Sequence, residues 1–128
     1  MTRDELLSRY AAGERDFRGV DLEEVCLDWV NLVQVNLSGA NLAWANLTGA
    51  NLTEANLNGA NLNGANLYRA GLDSANLSDA ILTGACLFCA NLADANLRGA
   101  EVAGCTFSLY HFELIYNQYV NHKYCHFV

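Results

Sequence analysis

The sequence predicts an all-β solenoid, a chain wound into stacked coils with a short helix at each end. Two observations carry that expectation. From Phe17 to Phe107 a large apolar residue recurs at every fifth position without a slip, nineteen in all. Two residues before each centre from Leu22 to Val102 stands a smaller apolar residue, Val at 20, 25, 30 and 35, then Ala at every fifth position from 40 to 100. A period of five suits neither ordinary element. On an α-helix five residues turn about 500°, which scatters the leucines around the cylinder. On a flat strand an odd repeat sends successive leucines to opposite faces. A chain that keeps them all inside must turn after each unit, and each coil then buries its core only by stacking on its neighbours.

Composition bounds the alternatives. The chain has 128 residues, enough for one domain, and is 52% hydrophobic and 16% charged, which excludes disorder driven by charge. The net charge of −7 argues against direct nucleic-acid binding and against anionic membranes. No apolar run is long enough for a membrane span, and Met1 to Tyr10 is too charged for a secretory signal. Five cysteines, an odd number, make a secreted disulfide framework a poor fit, so the expected compartment is the reducing cytoplasm.

Taken in order, residues 1–14 form the first segment. Thr2-Arg3-Asp4-Glu5 has the form of a capping box, Leu6, Leu7, Tyr10 and Ala11 follow at helical spacing, and Gly13 is a stop. This predicts a capping helix over residues 3–12. Residues 15–109 carry the repeat, with the consensus Ala-Asn-Leu-x-x. Its central Leu and preceding Ala predict two inward ladders, and its Asn predicts stacked ladders such as Asn36, Asn56, Asn76 and Asn96. Gly at 19, 39, 49, 59, 64, 84, 99 and 104 falls two after the centre, where a turn is needed. In residues 110–128 the repeat fails. Phe112, Ile115, Tyr116, Tyr119 and Val120 predict an amphipathic helix that covers the last coil or dimerises, followed by a covering tail.

The units from 15 to 109, about three quarters of the chain, resemble the pentapeptide-repeat family. The opening Asp-Glu-Leu-Leu and Tyr-Ala-Ala-Gly-Glu-Arg is similar to short cyanobacterial members. The resemblance implies a right-handed, four-sided (quadrilateral) β-helix with four units per coil, hence about five coils.

No catalytic constellation is visible, and no cofactor is expected: acids on the coils are isolated and all three histidines follow the repeats. Cys86 and Cys89 form a C-x-x-C, but a solenoid offers no helix N-terminus to activate a thiol, and a zinc site lacks a second ligand pair. His122, Cys125 and His126, with His111 nearby, have ligand-like spacing in a poor setting. Some pentapeptide-repeat proteins mimic duplex DNA and inhibit type II topoisomerases. Here residues 1–30 carry net −4, residues 31–100 net −2 and residues 101–128 net −1, so the acidity sits at one end. The expected rod, roughly 24 Å at 4.8 Å per coil, spans only about seven base pairs.

The favoured expectation is therefore a non-enzymatic scaffold for an unknown protein partner, a monomer or a dimer through its C-terminal segment. The alternatives are a DNA mimic acting on a nucleic-acid enzyme and a thiol redox or metal protein using Cys86 and Cys89. Tyr68 and Phe88 are expected to stack in one outward column, with Trp44 outward on another side. Glu54, Asp73, Asp94 and Glu113 are expected to share a third side, on successive coils.

Overall fold

A computed structural model describes residues 1–118 and 124–128. Helix α1 spans Arg3–Ala11, capped by Thr2, whose Oγ1 accepts the Glu5 N–H at 3.2 Å. Gly13 follows at φ 101°, outside the helical region. From residue 16 onward the chain winds. Parallel pairs join residues twenty apart, from Asp16↔Asn36 to Cys86↔Thr106. Twenty residues per turn at five per side gives four sides.

Every central residue from Phe17 to Phe107 is buried, and so is the small residue two before it from Val30 to Ala95. Val20 and Val25 are half-buried beside α1, whose Leu6 joins the same core. The interior is two ladders of methyl-bearing side chains, each full Leu burial being worth about 2 kcal/mol of transfer free energy.

Each unit closes with a tight turn, as in the Ala40 N–H to Leu37 C=O bond of 3.0 Å. The position two after the centre takes a positive φ in nearly every unit. Nine glycines have positive φ, eight of them at this position, and ten other residues there accept the strain, among them Trp29 (60°), Trp44 (60°) and Asp94 (58°). The Asn before the centre serves this turn. Asn36 Oδ1 accepts the Ser38 N–H at 3.1 Å, and Asn56, Asn76 and Asn96 bond their own turns in the same way. The four Asn stack in one column as expected, paired rung to rung from Asn36 to Asn96, and their side chains serve the turns. The side-chain oxygen finds a donor two residues ahead, a closer partner than the Asn on the next coil. Asn41 Nδ2 to Asp21 Oδ1, at 3.1 Å, does cross between coils.

Two tryptophans use the repeat differently. The Trp29 ring lies over Gly49, and the Trp44 ring over Gly64, each one coil on. A Cβ at Gly49 would collide with the Trp29 indole, and its φ of 64° already disfavours a side chain. Gly49→Ala is expected to cost about 1–2 kcal/mol from the backbone alone. It should also lift Trp29 into water, read as a red-shifted emission in a Trp44→Phe background.

The ladder has a direction. Toward the C-terminal end each side offers two N–H groups and one C=O, as in Leu37 N–H to Asn56 C=O (2.8 Å), Gly39 N–H to Asn58 C=O (2.9 Å) and Ala40 C=O from Asn61 N–H (2.9 Å). Toward the N-terminal end the count reverses, and carbonyls dominate. Donors from the first ten residues meet them. The Met1 ammonium reaches Asp21 C=O at 3.0 Å, the Arg3 guanidinium Cys26 C=O at 3.0 Å, and the Tyr10 hydroxyl Val33 C=O at 2.7 Å.

The C-terminal segment differs from its expectation. A 3-10 turn at Leu109–His111 leads into a short helix α2, Phe112–Asn117. Of the expected apolar face, among the described residues, only Ile115 is buried; Phe112 and Tyr116 are exposed and stack on each other, 6.1 Å between centroids. Tyr119 and Val120 lie outside the described residues. The tail then resumes the winding. Strand β1, Thr106–Phe107, pairs in parallel with β2, His126–Phe127, again twenty residues apart. Phe127 stacks on Phe107 at 5.6 Å.

Candidate functional site

The exterior of the solenoid is a set of columns with residues twenty apart. Asp28, Thr48, Tyr68, Phe88 and Ser108 make one. In it Tyr68 and Phe88 stack at 6.0 Å with planes 13° apart, and the Arg69 guanidinium lies 5.4 Å from the Tyr68 ring. Both rings are half-buried, because stacking covers one face of each. The rung spacing of the backbone sets this distance, so the pair is pre-organised by the coil itself.

Trp44 is 59% exposed on the preceding side, and Trp29 is 64% exposed at the margin of the Tyr68 side. Trp29 went unassigned in the sequence. Its signal was the glycine twenty residues ahead, the same relation that Trp44 has to Gly64.

Glu54, Asp73 and Asp94 lie on one side, on successive coils, but not in one column. Glu54 and Asp94 are exposed at positive-φ turn positions, separated by Ser74. Glu54 Oε2 accepts from Gln34 Nε2 at 2.8 Å. Asp73 stands one position earlier in its unit, half-buried, and accepts from Thr53 Oγ1 at 2.9 Å. Glu113 is not on a coil at all; it lies in the first turn of α2, because the chain leaves the ladder before it.

At the first coil Cys26 Sγ donates to Asp28 Oδ1 at 2.8 Å, and Arg3 lies 3.4 Å from the same oxygen. The Cys26 bond, then Arg3, hold the Asp28 carboxyl below its ordinary value. Cys86 sits at the pairing position between Asn66 and Thr106, while Cys89 occupies a turn at φ 61°, with its N–H on Ser108 Oγ at 2.8 Å. Burial pushes the Cys105 thiol well above its ordinary range and raises that of Cys125. Among the described residues no group of three His, Cys, Asp or Glu side chains is placed to hold a metal ion; His122 lies outside them.

His111 is 3% exposed. Its Nδ1 accepts the Ser108 N–H at 3.2 Å, which leaves Nε2–H to donate to Ala90 C=O at 2.9 Å. Burial lowers its proton affinity below the ordinary value of 6.5, the Ala90 bond opposing. The unfolded chain therefore binds this proton more tightly. Stability holds above pH 6.5 and falls as pH drops toward the lower folded value, by about 1.4 kcal/mol per tenfold difference in proton affinity. A urea melt followed from pH 8 to 5 should show this loss, and His111→Gln should flatten it. Beside His111, Tyr110 and Leu114 face Cys89 and Ala90–Ala93 across a groove of about 380 Å³.

Parallel rungs twenty residues apart around a filled interior define a repeat solenoid. The chain belongs to the pentapeptide-repeat family: the model for pentapeptide repeats matches residues 16–53 and 50–87. That membership implies a right-handed quadrilateral β-helix.

Among solved structures, Rfr23 from the cyanobacterium Cyanothece 51142 is 38% identical with a TM-score of 0.69, over 70% of this chain and 62% of that one. This chain thus spans less than two thirds of that relative. The pentapeptide-repeat protein alr5209 from Nostoc PCC 7120 is 31% identical with a TM-score of 0.57, over 99% of this chain and 96% of that one. HetL, from the same Nostoc strain and involved in heterocyst differentiation regulation, is 35% identical with a TM-score of 0.43, over 85% of this chain and 54% of that one. No curated protein matches the chain. Among the described residues no helix is long and apolar enough to cross a membrane.

Proposed function

We infer that this protein is a non-enzymatic scaffold that binds another protein through the side bearing Tyr68 and Phe88. The stacked pair carries the reading. It is an apolar, half-buried patch fixed by the coils beneath it, so a partner meets a surface with little ordering entropy left to lose. Trp44 on one adjoining side and the carboxylates of Glu54, Asp73 and Asp94 on the other extend it. Such a surface favours a partner with an apolar contact flanked by basic residues. The test is affinity capture from the native host with wild type and a Tyr68→Ser, Phe88→Ser double variant. The expected result is a captured protein lost with the double variant while its melting stays near wild type. An unchanged set of captured proteins overturns the reading.

A further inference from the structure

The ladder ends unevenly. On the side that begins at Asn31, Leu72 and Ser74 give their N–H groups to the carbonyls of Asn91 and Ala93, both at 2.8 Å. One coil later the corresponding donors are Leu92 and Asp94. The residues that would receive them, 111 and 113, have turned away into the 3-10 turn and α2. His111 Nε2 replaces a backbone N–H at Ala90 C=O. No acceptor among the described residues reaches the Leu92 or the Asp94 amide.

Other amides at this end are met by side chains and by the tail. The Gln118 side-chain amide takes the Leu97 N–H at 2.5 Å and gives to Ala95 C=O at 2.7 Å, acting as one peptide group of a further coil. Gly104 N–H meets Tyr124 C=O at 3.0 Å, and Ser108 Oγ takes the Cys89 N–H. On the Leu92 side a groove separates the last rung from the covering segment, and there two open amides of one rung lie along it. Leu92 is 2% exposed and lines its base, with Tyr110, His111 and Leu114 opposite. Both N–H groups therefore stand ready for an acceptor that enters the groove.

We propose that this groove accepts an extended peptide segment of another protein as one further parallel rung, its carbonyls two residues apart taking the Leu92 and Asp94 N–H groups. Residues two apart on an extended chain lie roughly 7 Å from each other, the spacing every inner rung already uses. The side chain between the two carbonyls would face Leu92 and Leu114, so an aliphatic residue fits there. The Asp94 carboxylate argues against an anion and for a neutral or basic segment. Main-chain bonds supply affinity in this mode, and the groove supplies preference. This site is at the end of the rod and independent of the Tyr68 side.

The probe is a blocked pentapeptide, acetyl-Asn-Leu-Thr-Gly-Ala-amide, the sequence of residues 46–50, which pair in this way inside the rod. It is titrated into the ¹⁵N-labelled full chain. The expected result is a downfield shift of the Leu92 and Asp94 amides, with exchange slowed by about tenfold or more at saturation. Ala93→Trp fills the groove from an exposed position and should abolish both effects while leaving the melt and the rest of the spectrum near wild type. Amides that stay unmoved at millimolar peptide overturn the proposal. So do shifts confined to Tyr68 and Phe88, which would assign the peptide to the lateral surface instead. Protection that rises with protein concentration alone also overturns it, making a second copy the occupant.

Discussion

Leu57→Asp is expected to abolish folding. Leu57 is fully buried, between Leu37 and Leu77 of the coils on either side. A carboxylate there has no partner, and the desolvation penalty of a lone buried ion is several kcal/mol. The lost Leu contacts add about 2–5 kcal/mol more. Together these approach the whole stability of a domain this size, about 5–15 kcal/mol. Circular dichroism should show no cooperative melt at neutral pH. Leu57→Ala, which removes contacts but adds no charge, should still fold with a lowered midpoint. A cooperative Leu57→Asp near wild type would contradict the inward assignment.

Phe107→Ala is expected to cost about 3–5 kcal/mol, spent at one end. Phe107 is fully buried, stacks on Phe127 and meets His111 edge-on at 5.9 Å. It joins the last coil to β2 and to the 3-10 turn. In a solenoid each coil touches only its neighbours, so the damage should stay local. Hydrogen exchange should show lost protection at His126 and Val128, with amides such as Leu47 and Leu57 still protected. Uniform loss along the chain would mean that the rod melts as one unit.

The interior was legible because repetition multiplies a weak signal. One Leu at one position says little; nineteen in register leave a single geometry that keeps them dry. The ends were less legible for the same reason. Phe127 lies twenty residues after Phe107 and continues the register, yet its flanks have lost the Ala-Asn signature, so the tail read as mere covering. Glu113 was placed by extending the count past the point where the backbone stops obeying it. The role of Asn turned on a local choice between two nearby partners, which spacing does not encode. The stack of Tyr68 and Phe88 was readable because both lie in the repeat, one coil apart. The open amides of Leu92 and Asp94 were not, since they depend on where pairing stops.

The constant separation of twenty residues between paired groups also bears on how the molecule is made. Loop closure is the same modest step for every coil, about (3/2)RT ln n plus a constant, however long the rod becomes. No strand waits for a distant partner, which keeps nucleation cheap for so β-rich a chain. A nascent chain can therefore wind onto its own finished portion as it is synthesised, each new coil templated by the one before.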